Sequence, residues 1–126
     1  ARMPKHGNYI MGNMLIGQAL AQTSAIFALL ISLLLLYSIP PQPAGLTVGR
    51  ILVKTLAFIG AGLAIGFGTI GPGAGIGFVA GKASDMIGRF PDEKGKLMRT
   101  MFLGAAISQS TAIYSLVVAF LLIFAV

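Results

Sequence analysis

The sequence contains no cysteine, a single histidine (His6) and only three acidic residues, Asp85, Asp92 and Glu93. Each shortage removes a class of chemistry. Without cysteine there is no disulfide framework, no thiolate metal site and no thiol nucleophile. One histidine cannot build a zinc site. Charged residues amount to 10% of 126, against about 25% in a soluble domain, too few to solvate a globule. What is present instead is apolar: 56% of residues are hydrophobic and the mean hydropathy is +0.91. A membrane helix needs about 20 apolar residues, so the chain holds at most three or four spans and no soluble catalytic domain beside them. No catalytic residue is expected in this chain.

The net charge of +6 does not indicate a nucleic-acid partner. The basic residues form short clusters between long apolar runs rather than a stripe with polar and aromatic neighbours. Three apolar stretches stand out, at about 10–39, 51–80 and 101–126. The first connection, 40–50, holds Pro40, Pro41, Pro43 and Gly45, a helix stop and a turn. The second, about 82–99, holds all three acids and five of the nine basic residues. Three spans put the N-terminus and the 82–99 loop on one side, with Arg2, Lys5, Lys82, Arg89, Lys94, Lys96 and Arg99. Arg50 and Lys54 fall on the other. That asymmetry places 1–9 and 82–99 on the cytoplasmic or matrix side. A secretory signal does not fit, since the first apolar run is too long and no A-x-A site follows it.

The first stretch repeats the third. A shift of 87 residues aligns 1–39 with 88–126 without a gap, with about a dozen identities in 39 positions. Arg2-Met3-Pro4 falls on Arg89-Phe90-Pro91, Gly17 on Gly104, and Gln22-Thr23-Ser24 on Gln109-Ser110-Thr111. The unit is a helix, a basic loop and a second helix, and the first copy lacks its opening helix. The predicted fold is an all-α membrane protein: a complete transmembrane hairpin at 51–126 preceded by one extra helix, half of a duplicated hairpin.

Glycine recurs at 60, 62, 66, 68, 71, 73, 75, 77 and 81. Residues two apart lie about 200° apart around a helix, while residues four apart share a face. Gly71, Gly73, Gly75 and Gly77 therefore make two smooth strips on opposite flanks. Small-residue strips let membrane helices approach closely, and two strips allow a helix to touch a copy of itself on both sides, which closes into a ring. A simple kink at Pro72 is the plainer alternative. The G-x-G-x-x-G match at 66–71 has no strand–turn–helix context, and Gly81-Lys82 does not complete a P-loop. Neither is a nucleotide site.

Polar groups deep in a span are candidates for function. Gln109, Ser110 and Thr111 lie eight to ten residues into the third stretch, and Tyr114 a turn later can direct its hydroxyl back toward them. Such neutral oxygens can replace the hydration shell of Na⁺ or hold a hydrogen-bonded proton. Plain interhelical hydrogen bonding is the competing account.

The glycine helix at 71–77, Arg89-Phe90-Pro91, Met101-Phe102-Leu103-Gly104 and the run Ser110-Thr111-Ala112-Ile113-Tyr114-Ser115-Leu116 resemble the c subunit, or proteolipid, of F-type and V-type rotary ATP synthases. The resemblance covers 51–126 as a full hairpin and 1–39 as half of one. It implies a closed ring of hairpins in lipid, glycine helices inside, turning against the stator a subunit as ions cross. The loop at 88–96, through Arg89, Phe90 and Pro91, would face the central stalk. Ser-Thr followed by Tyr resembles the Na⁺-binding version, with Gln109, Ser110, Thr111, Tyr114 and Ile107, and the copy at Gln22, Thr23 and Ser24, as candidate ion-site residues. No cofactor is expected beyond a bound Na⁺ or H⁺. A bacterial plasma membrane is the expected location, an organelle energy-coupling membrane the alternative.

The chain departs from that family twice. The family carries Glu or Asp where this chain has Gln109, and the copy has Gln22. The Na⁺-type family also places a glutamine where this chain has Ile76. A neutral amide neither exchanges a proton near pH 7 nor balances the charge of Na⁺, so the chain alone is expected not to translocate ions. Engineered glutamines that imitate a protonated acid, a mixed ring with the carboxylate on another subunit, and a missing upstream helix that carries it are three open accounts. A non-transporting membrane scaffold is the competing function.

Overall fold

The computed structural model describes residues 7–38 and 47–125. Among these residues there are three α-helices, α1 (Gly7–Tyr37), α2 (Val48–Arg89) and α3 (Lys94–Phe124), with a 3₁₀ turn at Pro91–Glu93 and no strand. Each helix is long and apolar enough to cross a membrane, as the three hydrophobic runs predict. Arg2-Met3-Pro4 and the prolines at 40, 41 and 43 lie outside the described residues.

The helices run well past the apolar stretches. The connection expected over about 82–99 is confined to 90–93, because α2 continues to Arg89 and α3 starts at Lys94. At 1.5 Å per residue α2 is about 63 Å long, twice the roughly 30 Å hydrocarbon core. Charge ends the membrane span but does not end a helix. Asp85 and Arg89 even pair at 3.0 Å one turn apart, and Glu93 pairs with Lys96 at 2.8 Å. Pro91 is what stops α2. It forces the preceding residue out of the helical region, and Phe90 accordingly sits at φ −129°, ψ 72°. Pro72, by contrast, lies within one unbroken helix.

Both α1 and α3 lie antiparallel on α2, and glycine sets the spacing. A Cβ on Gly75 would meet Ser108 Oγ at 2.7 Å, and one on Gly68, two turns earlier, would meet Ser115 Cβ at 2.3 Å. On the α1 side a Cβ at Gly17 would fall 2.3 Å from Ala80 Cβ, and Gly73 faces Ser24. The two flanks of α2 are thus used by two different helices. Gly71 and Gly77 have nothing within 4 Å, so each strip keeps an open glycine. Between the three helices Ile31, Ala61, Ile65, Ala119 and Ile123 form one buried cluster, and Ala80, Ala83 and Met101 form a second.

Candidate functional site

Successive residues on a helix point about 100° apart, and this divides the polar triplets. On α3, Gln109 turns toward α1. Its Nε2 donates to the Leu20 carbonyl at 2.9 Å and to Thr23 Oγ1. Thr23 in turn donates its hydroxyl proton to the Leu20 carbonyl at 2.7 Å. The other two members of the triplet turn away. Ser110 donates to the carbonyl of Ile107 at 2.7 Å, and Thr111 to the carbonyl of Ser108 at 3.0 Å. Tyr114 is 68% exposed, and among the described residues no hydrogen bond joins its hydroxyl to Gln109, Ser110 or Thr111. The copy on α1 fans out in the same way: Gln22 is exposed, Thr23 receives Gln109, and Ser24 is buried against Gly73 and bonded to the Ala21 carbonyl.

The polar site is therefore built between the two repeats rather than inside one. Sequence reasoning missed the Leu20 carbonyl. The 87-residue repeat carried the signal, since Leu20 and Thr23 are the counterparts of Ile107 and Ser110. It also missed a second polar contact. Asn13, 1% exposed, donates from Nδ2 to Ser84 Oγ at 2.9 Å, with the Ala80 carbonyl at 3.5 Å. An asparagine within a long apolar run was the available clue.

The chemistry of the Gln109 site is that of a neutral donor. The Thr23 hydroxyl can accept or donate, but the Leu20 carbonyl only accepts, so a group bonded to it must bring a proton. An amide does so at every pH, whereas a carboxyl does so only when protonated. Gln109 Oε1 is buried without a hydrogen-bond partner. Ile76, one residue beyond Gly75, is 1% exposed and adds no ligand. Among the described residues no group of three His, Cys, Asp or Glu side chains comes together. The donor set around Gln109 thus lacks the negative charge that would offset a cation's dehydration.

Comparison with known proteins bears on this arrangement. The family model for the c subunit of ATP synthase matches residues 59–122, which span α2 from Ile59, the connector and nearly all of α3. The chain belongs to the ATP synthase c-subunit family. It is 53% identical over 77 residues to the ATP synthase c subunit of Natranaerobius thermophilus, covering 61% of this chain and 88% of that protein. It is 48% identical over 77 residues to the ATP synthase c subunit of Alkaliphilus oremlandii, covering 61% of this chain and 86% of that protein. The chloroplastic ATP synthase c subunit of Ostreococcus tauri is 47% identical over 74 residues, covering 59% of this chain and 90% of that protein. The matched region, 59–122, takes in most of α2 and α3, and α1 lies outside it. The chain is an integral membrane protein of this family.

Proposed function

We propose that this c-family chain serves in the rotor ring of a rotary ATP synthase as a subunit whose inter-hairpin ion site is held neutral. The observation that carries this reading is the Gln109 amide, which donates to the Leu20 carbonyl and to Thr23 across the α1–α3 seam. Where the family resemblance puts an exchangeable carboxyl, this chain puts a group that is permanently in the donating form. The amide supports ring packing, because the interhelical hydrogen bonds are kept. It does not support exchange, because nothing there gains or loses charge. Ions, whether Na⁺ or H⁺, would then cross at carboxylates carried by other members of a mixed ring.

The hairpin tip, Arg89-Phe90-Pro91, supplies the contact to the central stalk in this reading, and the outer surface of α3 faces the stator a subunit. Arg89 and Phe90 are both exposed, as a docking tip requires. The test is co-purification. The chain, expressed with the remaining subunits of an ATP synthase, should bring down the soluble ATPase head, and Arg89→Ala with Phe90→Ala should lose the head while the chain stays in the membrane. A chain that never brings down the head would instead favour the membrane-scaffold function.

A further inference from the structure

Four residues, 90–93, connect α2 to α3, whereas ten, 38–47, connect α1 to α2. The short connection fixes how deep α3 sits on α2. The long one leaves α1 free to shift, since ten residues span up to about 35 Å. Yet α1 meets α2 in one antiparallel register, with Ile10 at Gly88, Asn13 at Ser84, Gly17 at Ala80 and Ser24 at Gly73. The flank of α2 that it uses is smooth. Gly73, Gly77, Ala80, Gly81 and Gly88 carry nothing larger than a methyl group. A shift by one turn, four residues or about 6 Å, would move Gly17 to Ser84 and Ser24 to Gly77, where nothing lies within 4 Å. Backbone carbonyls recur at every turn and do not mark a register either. The Ser84 hydroxyl does. Asn13 Nδ2 donates to it at 2.9 Å, and after such a shift the amide would be buried opposite Gly88, which has no side chain to accept.

The pair adds little to net stability. Asn13 is 1% exposed and its Oδ1 is buried without a hydrogen-bond partner, which offsets the bond that Nδ2 gains. Two apolar side chains would hold α1 on α2 about as well, but they would not distinguish one turn from the next. A single buried asparagine does fix register between packed helices. On α3 the same position of the repeat is Thr100, exposed and bonded to the Lys96 carbonyl of its own helix at 3.1 Å. The helix on the short connection thus carries no such device.

We propose that the Asn13–Ser84 pair is a register lock, and that Asn13 is a positioning residue for the Gln109 site. The two contacts of α1 face different neighbours. Asn13 bonds α2, while Thr23 and the Leu20 carbonyl, one to two turns above Gly17, receive Gln109 from α3. A one-turn shift of α1 carries both acceptors about 6 Å along the helix axis, out of hydrogen-bond reach of Gln109. The lock on one seam therefore sets the polar contact on the other.

The chain has no native cysteine, so engineered disulfides can read the register. Ser24→Cys with Gly73→Cys reports the observed register, and Ser24→Cys with Gly77→Cys reports the one a turn away. A Cβ at Gly73 meets Ser24 Oγ at 3.8 Å and one at Gly77 meets nothing within 4 Å, so both cysteines fit. In the full chain in micelles, the first pair should form its intrachain disulfide at least about tenfold faster than the second. With Asn13→Leu and Ser84→Ala together, that preference should fall about tenfold, to near parity, while reversible unfolding shows a stability close to the parent. The energetic coupling between positions 109 and 23 should vanish in the same background, an effect that a merely stabilising contact does not produce. A retained preference, an unchanged coupling, or a double variant that no longer folds would each overturn the proposal. Neither disulfide needs a ring or an ATPase head, so this outcome is separate from that of the rotor reading.

Discussion

The Gln109–Thr23 contact makes a quantitative prediction through a double-mutant cycle. Gln109→Leu keeps the bulk of the side chain and removes its polar atoms. Thr23→Val keeps shape and removes the acceptor. Gln109→Leu loses two hydrogen bonds, to the Leu20 carbonyl and to Thr23, but also removes the buried, unpartnered Oε1. An unsatisfied buried polar atom costs about 1–3 kcal/mol, so the single substitution should fall within about 1 kcal/mol of the parent. The single variant is therefore uninformative and the coupling decides. Interhelical hydrogen bonds in membranes average about 0.6 kcal/mol and reach about 1.7 kcal/mol in such cycles. The coupling between positions 109 and 23 should lie in that range, a factor of about 3 to 18 in the association of α1 with α3. Reversible unfolding of the four variants from mixed micelles measures it. A coupling of zero, or one of opposite sign, would refute the claim that the amide ties the two repeats together.

Three further outcomes follow from the packing. Ser84→Ala should destabilise the α1–α2 pair by about 1–2 kcal/mol, because Asn13 loses its 2.9 Å acceptor while staying buried. Adding Asn13→Leu should recover most of that loss in the same unfolding assay. Gly68→Ala should push α3 from α2 at a cost of about 1–3 kcal/mol, with Ser115→Gly as the rescuing change, since the clash is with Ser115 Cβ; cross-linking efficiency across the α2–α3 seam reads both. Gly77→Ala meets nothing within 4 Å and should leave the isolated chain as stable as before or stabilise it by about 0.5–1 kcal/mol, while lowering the yield of higher assemblies on native gels.

The three helices were legible because apolar length alone decides a membrane span. Their ends were not. Residues 82–89 carry charges that read as a loop, yet these residues are compatible with helix, and only the Phe90-Pro91 pair enforces a break. The polar triplets were legible as polar groups in apolar runs, but not as a site. Consecutive positions point in different directions, so Gln109, Ser110 and Thr111 separate, and the true partners of Gln109 lie on the other repeat. The glycine strips were legible as two flanks of one helix, read as seats for copies of that helix. Within the chain, however, Gly75 serves α3 and Gly73 serves α1, an assignment that only the three-dimensional register reveals.

The central claim is that a permanently neutral donor at position 109 keeps this site out of the ion cycle. Its direct test is ATP-driven uptake of Na⁺ or protons into vesicles carrying the ATP synthase assembled with this chain, compared with the same complex carrying Gln109→Glu. The account predicts that uptake per ATP hydrolysed rises with the glutamate variant, and that a hydrophobic carbodiimide labels position 109 only there. Full uptake with the unsubstituted chain in a ring without other carboxylates, unchanged by Gln109→Glu, would contradict it.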